Sequence, residues 1–313
     1  MNVLFDNLIS NGDPDAVFAR MPEGKEPWTM RYADVNTVSG QFSNALVKLG
    51  VKRGDRVAVQ VPKSIEALML YLATVRIGAV FLPLNTAYTP TEIEYFLKDA
   101  EPALFVCDPD DEATYSDLFQ GLSIGLKSLG VCHRGLSTHP SGSLAQLAAG
   151  MTTDFETVEC GENDLAAILY TSGTTGRSKG AMLTHENLLS NARSLVAYWK
   201  FSQRDVLIHA LPIFHTHGLF VASNVVLLSG ASMIFLSGFN ADRIFENMPS
   251  ATCMMGVPTF YTRLLDDDRL DRKSVDHMRL FISGSAPLLA ETHVQFENRT
   301  GHRILPWFLH DRP

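Results

Sequence analysis

The chain has 313 residues, of which 46% are hydrophobic and 19% charged, and its formal net charge is −8. That balance excludes a disordered chain, and the negative charge excludes a broad nucleic-acid-binding surface. An anionic ligand must therefore be held by local cations, in one large domain or two ordinary ones.

Helix and strand patterns alternate along the chain. Val35, Val38, Phe42, Leu46 and Leu49 make a helical stripe closed by Gly50. Residues 56–61 read as a strand, and Ser64 can cap a helix through Leu68, Leu72 and Val75 to Gly78. A strand over 79–82 follows, then Thr89-Pro90-Thr91-Glu92, a capping box with proline at the first helical position. Residues 103–107 read as another strand. Between 108 and 163 the signal weakens into Gly, Ser, Thr and His, so this stretch is expected to divide two sub-regions.

Alternation then resumes. Strands are expected over 165–170, 206–209, 232–236, 252–255 and 279–283, and helices over 185–198, 241–248, after Pro258 and from Ala290. The run 219–236 has no charged residue, yet Ser223, Asn224, Ser229, Gly230 and Ser232 interrupt it. It reads as a buried helix and a buried strand, not a membrane span. Such β-α-β-α order implies a parallel or mixed sheet covered by helices.

Four scattered cysteines (Cys107, Cys132, Cys160, Cys253) show no C-x-x-C pair, which points to a reducing, cytoplasmic setting. The N-terminal stretch lacks a basic region and carries Asp6, so it does not read as a signal peptide.

The most informative segment is YTSGTTGRSKG, residues 170–180. Its glycines permit tight turns that bare backbone N–H groups, its hydroxyls add donors, and Lys179 adds a movable positive charge. It is not a Walker A loop, because Gly180 rather than Ser or Thr follows Lys179, and a short second strand rather than a helix is expected next. Thr184 would cap the helix after that. A flexible linker is the alternative reading, and two cations ending a loop between buried strands argue against it.

Three further constellations stand out. In LPIFHTHGL (211–219), His215 and His217 lie two apart; a metal pair lacks further ligands nearby, so a pocket wall or a helix start remains. In MGVPTFYTRLL (255–265), Arg263 lies on an otherwise apolar helix. It is either a surface arginine with a packed stem or a fork for a carboxylate. In FISGSAPL (281–288), a strand ends in a Gly/Ser turn of the kind that borders ligand crevices.

The glycine loop resembles the phosphate-binding signature of the acyl-adenylate-forming enzymes, which include acyl-CoA synthetases, firefly-type luciferases and peptide-synthetase adenylation domains. Ser178 stands where that family usually has proline. Residues 29–108, with GVKRGDRVAV and IGAVFLPLNTAYTP, are similar to the family's first subdomain. The resemblance implies an α/β fold: the large N-terminal domain of two helix-covered mixed sheets, without the small C-terminal domain. It divides the chain into 1–160, 161–305 and an aberrant tail, 306–313.

It also implies roles. Thr171, Ser172, Gly173, Thr174, Thr175, Gly176, Lys179 and Gly180 would hold ATP phosphates. His215 would line the acyl pocket and gate coenzyme A, acting with Lys179 as the catalytic pair. Gly284, Ser285, Ala286 and Pro287 would face the adenine and acyl groups. Arg263 with Ser285 would hold the far carboxylate of a dicarboxylic acid, as in the malonyl-CoA synthetase branch. The expected ligands are ATP with Mg²⁺, coenzyme A and the acid, with no resident metal, nucleic-acid partner or membrane insertion. At the tail, His310-Asp311-Arg312 stand where the family has Met-Thr-Glu. CAT-GAC-CGA is ATG-ACC-GAG read one base out of frame, so a frameshift is expected, and resequencing the locus checks it.

Overall fold

The structure is a computed structural model that describes every residue except 25, 120–122, 133–135, 137–138, 172–177 and 308–313. Among the described residues, seven strands form one sheet. Their order is β13 (Ile304–Trp307), β12 (Leu280–Gly284), β11 (Cys253–Gly256), β9 (Val206–His209), β10 (Ser232–Phe235), β1 (Val17–Met21) and β2 (Trp28–Arg31). All neighbours are parallel except β1 and β2. Six strands form the other: β6 (Gly125–Ser128), β5 (Leu104–Cys107), β3 (Arg56–Gln60), β4 (Val80–Pro83), β7 (Leu165–Thr171) and β8 (Lys179–Thr184). Only β7 and β8 run antiparallel. Two helix-covered mixed sheets are thus present, as the sequence leads one to expect.

Helices α1 (Val3–Ile9), α2 (Tyr32–Lys48), α3 (Ile65–Arg76), α7 (His185–Trp199) and α8 (Asn224–Ser229) share one core with both sheets. Phe18 of β1, Val57 and Val59 of β3 and Met233 of β10 pack there with Leu68, Leu72 and Leu189. Every residue of α3 is buried, which suits a helix that is apolar nearly all round. Its Ser64 hydroxyl accepts from the Ala67 N–H at 3.1 Å, satisfying an orphan donor at the helix start. A second core lies between the seven-stranded sheet and α9 (Ala241–Asn247), α10 (Pro258–Leu265) and α11 (Ala290–Thr300). A third lies between the six-stranded sheet and α4 (Pro90–Ala100) and α5 (Glu112–Leu118).

Three expectations need revision. The sheets do not follow a division at residue 160. β1 pairs in parallel with β10, through Ala19 opposite Met233, and β7–β8 join the sheet of β3–β6, residues 56–128. Strand pairing across the sheets outweighs order along the chain, because each apolar strand needs a ladder partner. The weak middle does not simply divide two sub-regions: it holds α5, α6 (Ser143–Ala149) and β6, which pairs with β5, elements too short to show a period. Arg76 pins its end, donating to the Thr157 hydroxyl at 3.1 Å and the Phe155 carbonyl at 3.0 Å. Finally, Pro306 and Trp307 still belong to β13, opposite Ser283 and Gly284, so strand pairing continues past the expected break at 306. The remaining tail residues, 308–313, lie outside the described residues.

The uncharged run resolves into a π-helix (His217–Ser223), α8, a left-handed turn at Gly230 (φ +68°) and β10. Among the described residues no helix is long and apolar enough to cross a membrane.

Candidate active site

The parallel strands of the large sheet end together, at His209, Phe235, Gly256 and Gly284. Ligands of open α/β sheets bind outside such carboxyl ends. After Gly284 the chain turns through Ser285, which adopts φ +69°, a left-handed conformation costly for a residue with a Cβ. Gly284 is buried, whereas Ser285, Ala286 and Pro287 are exposed. Strain of this kind, held at a strand end, is a common mark of a functional turn.

The Ser285 hydroxyl lies 3.4 Å from Nδ1 of His217. His217 opens the π-helix and is buried, and burial pushes its imidazole pKa down to about 4, so it is uncharged at neutral pH. His215, the residue expected from the sequence, is exposed and tilts against Phe214 with ring centroids 4.5 Å apart. Partial burial also holds its imidazole below the usual histidine range. The inward histidine beside Ser285 is therefore His217, and the sequence reading did not single it out. His217 only opens its helix and His215 precedes it, so no helical periodicity tells which histidine points in.

Gly218 next to it is obligatory. A Cβ there would sit 2.0 Å from the Pro212 carbonyl oxygen, a backbone atom that cannot swing aside. The LPIF segment therefore packs its backbone directly on the π-turn.

Arg263 lies on α10, the helix that follows β11, and its guanidinium sits 5.4 Å from the centre of the Phe239 ring. It is exposed, and among the described residues no carboxylate pairs with it. A cation on an aromatic face without a counter-ion is available to an incoming anion. Arg263 and Ser285 follow adjacent parallel strands, β11 and β12, but no contact joins them.

The glycine loop joins β7 to β8. Lys179 pairs in the ladder with Thr171, and the Lys179 side chain is exposed. Gly180 lies against Ile168, where a Cβ would come within 2.9 Å of a methyl carbon. The expected phosphate-holding residues Ser172, Gly173, Thr174, Thr175 and Gly176 lie outside the described residues, and of Thr171 only the backbone is described.

Two ionisable groups at this end of the sheets, a partly buried lysine and a buried glutamate, also escaped the sequence reading. Lys63 sets its Nζ against His209 and 4.3 Å above the Phe235 ring, and burial lowers its pKa well below the usual lysine value. Glu66 is buried at the start of α3; the Ser64 hydroxyl and the Cys132 backbone N–H approach it, but among the described residues neither meets a carboxylate oxygen in a well-aligned bond. Burial raises its pKa to about 7. Both line a cavity of about 360 Å³ with Trp28, Cys132, Phe235 and Arg243. A lysine or glutamate beside a buried strand end is the signal that could have found them.

The fold is α/β, and its strand-end turns gather at the carboxyl ends of the large sheet's parallel strands. The profile described as AMP-binding enzyme matches residues 10–308, and the chain belongs to that family. MatB from Rhodopseudomonas palustris, solved with ATP bound, is 51% identical with a TM-score of 0.92, over 98% of this chain and 60% of that one. The mitochondrial malonate–CoA ligase ACSF3 of Mus musculus is 31% identical over 82% of this chain and 45% of its own length. The long-chain-fatty-acid–CoA ligase FadD13 of Mycobacterium tuberculosis is 28% identical over 87% and 54%. The chain thus spans about half the length of the curated relatives it matches.

Proposed function

We propose that this chain carries the adenylating site of an ATP-dependent acid–CoA ligase, with malonate as the acid. The observation that carries the reading is an exposed Arg263, with no carboxylate partner among the described residues, on the helix after β11, while the strained Ser285 turn follows the adjacent strand β12, in a chain 51% identical to a protein solved with ATP. The acid's carboxylate attacks the α-phosphorus of ATP and pyrophosphate leaves. The thiolate of coenzyme A then attacks the acyl carbon and AMP leaves. Lys179 and the glycine loop neutralise the β- and γ-phosphates, so the site acts mainly by positioning and charge compensation. His217, uncharged, and Ser285 offer hydrogen bonds to the acid, and Arg263 takes its second carboxylate through a planar fork. Mg²⁺ would offset phosphate charge. No group of three His, Cys, Asp or Glu side chains among the described residues is arranged to hold it. The four cysteines are buried and unpaired, which supports a reducing compartment such as the cytoplasm.

A ligase for another carboxylic acid is the second reading, supported by the 28% identity to FadD13 and by the apolar Ile213, Phe214 and Leu219 beside the histidines. A chain that only binds nucleotide is a third. Pyrophosphate release by the chain, alone and continued by the C-terminal region of MatB, separates them. Release with malonate above that with butyrate or palmitate supports the proposal. Release with every acid alike favours the second reading, and ATP binding without release favours the third.

A further inference from the structure

Lys63 and His209 come from different sheets. His209 ends β9, and Lys63 follows β3. The Lys63 Nζ lies 3.0 Å from Nδ1 of His209 and donates to the His209 carbonyl at 2.8 Å. On the other side of the ring, Nε2 lies 2.9 Å from the Gly218 carbonyl oxygen and 3.2 Å from the Ser223 hydroxyl. Ser223 itself donates to that carbonyl at 3.0 Å.

These contacts fix the tautomer. A carbonyl can only accept, so Nε2 must carry the proton, and Nδ1 accepts from Lys63. His209 is fully buried, and burial together with the Lys63 charge keeps its imidazole well below the usual histidine range. The ring is therefore neutral, with one donor and one acceptor, each used. Lys63 can donate whether it is an ammonium or an amine.

Gly218 sits beside His217 in the π-helix. The Pro212 backbone blocks it on one side, and His209 holds its carbonyl on the other. A π-turn has a looser backbone ladder than an α-helix, so it needs outside partners to keep one shape. Drawing a lysine head into the protein costs free energy, which these bonds, the Phe235 ring and the nearby Glu23 charge offset.

We infer that Lys63 and His209 are positioning residues: they hold the π-turn across the two sheets so that His217 meets Ser285. This rests on reading that turn as the acid-binding wall, and it assigns specificity to two residues that need not touch the acid.

The test uses His209→Gln, His209→Asn and Lys63→Met in this chain. A glutamine amide reaches the Nε2 position and can still donate to Gly218. An asparagine amide reaches only the Nδ1 position and leaves the Gly218 carbonyl to Ser223 alone. Long-range ¹H–¹⁵N spectra of the histidine side chains give the tautomer without any ligand, and NMR titration with malonate in the presence of ATP gives affinity. We expect His209 as the Nε2–H tautomer, and His217 signals that move in the Asn and Met variants but not in the Gln variant. The malonate Kd should rise about tenfold for Asn and Met, the loss of roughly one buried hydrogen bond, and stay within about threefold for Gln. ATP affinity should change less than about twofold in all three. An Nδ1–H tautomer, Gln and Asn variants that behave alike, or equal losses for ATP and malonate would overturn the inference. If the unsubstituted chain ignores malonate, the proposed substrate fails, and the His217 signals alone then decide between holding and not holding the turn.

Discussion

The Tyr95 hydroxyl donates to the carbonyl oxygen of Ser178 at 3.0 Å, tying α4 to the root of the glycine loop. A second tie runs from the Tyr170 hydroxyl to the Asp99 carboxylate at 2.5 Å, and the Phe96 ring packs 4.5 Å from Tyr170 between them. A loop anchored at its root loses less conformational entropy when it grips a ligand. Tyr95→Phe removes one neutral hydrogen bond, worth about 1 kcal/mol. The KM for ATP in malonate-dependent pyrophosphate release should therefore rise about fivefold, with kcat nearly unchanged. An unaltered KM would mean that the tie serves only the fold.

Lys179 is exposed and belongs to no core cluster, so its head contributes little to stability. Lys179→Ala should leave the melting temperature where it was and sharply weaken ATP use. Normal ATP kinetics in this variant would remove the loop from the proposed site.

Arg263 gives the test of acid choice. Once a dicarboxylate covers it, the pair is desolvated, and losing one partner of such a pair costs roughly 2–5 kcal/mol. Arg263→Leu should cut malonate-dependent release by about a hundredfold and leave butyrate steady or improved. Its stacking on Phe239 is an exposed contact, so the melting temperature should hardly move. Equal losses on both acids would make Arg263 structural.

Glu66 makes a prediction about stability and pH. Its folded pKa, about 7, lies above the ordinary glutamate value of 4.5. The folded chain thus holds a proton that the unfolded chain releases between those values. The stabilisation is complete below about pH 4.5 and is lost as pH rises through 7, a change on the order of 3 kcal/mol. Glu66→Gln keeps the uncharged form at every pH. Denaturant unfolding should therefore show the variant gaining on the natural chain from pH 5 to pH 8. A constant gap between the two would mean that Glu66 finds a partner in solution.

The helix starts at Ser64, Thr89 and Thr184 were legible because a cap is a local bond, closed within three residues. The β7–loop–β8 hairpin was legible for a similar reason: two apolar runs bracket one glycine-rich turn. By contrast, nothing near Ala19 announces Met233 as its partner, and strand pairing at that separation leaves no local mark. The inward role of His217 was hidden because it only opens its helix, before any period is set, and the Lys63–His209 bond by the distance between their strands. Arg263 stands out in the sequence as a lone cation in an apolar helix, its role coming from the family resemblance, and the structure leaves it exposed with no carboxylate partner among the described residues.

The pairing of β1 with β10 also sets a schedule for synthesis. Strand β2 ends at Arg31 and β10 begins at Ser232, about two hundred residues later. At roughly 5–20 residues per second, a ribosome needs about 10–40 s to cover that interval. During this time β1 and β2 have each other but lack the strand that seats them, and Phe18 lacks the core around Met233. The nascent chain therefore shows water an apolar ribbon for many seconds, which makes it a natural client for a holding chaperone while translation proceeds.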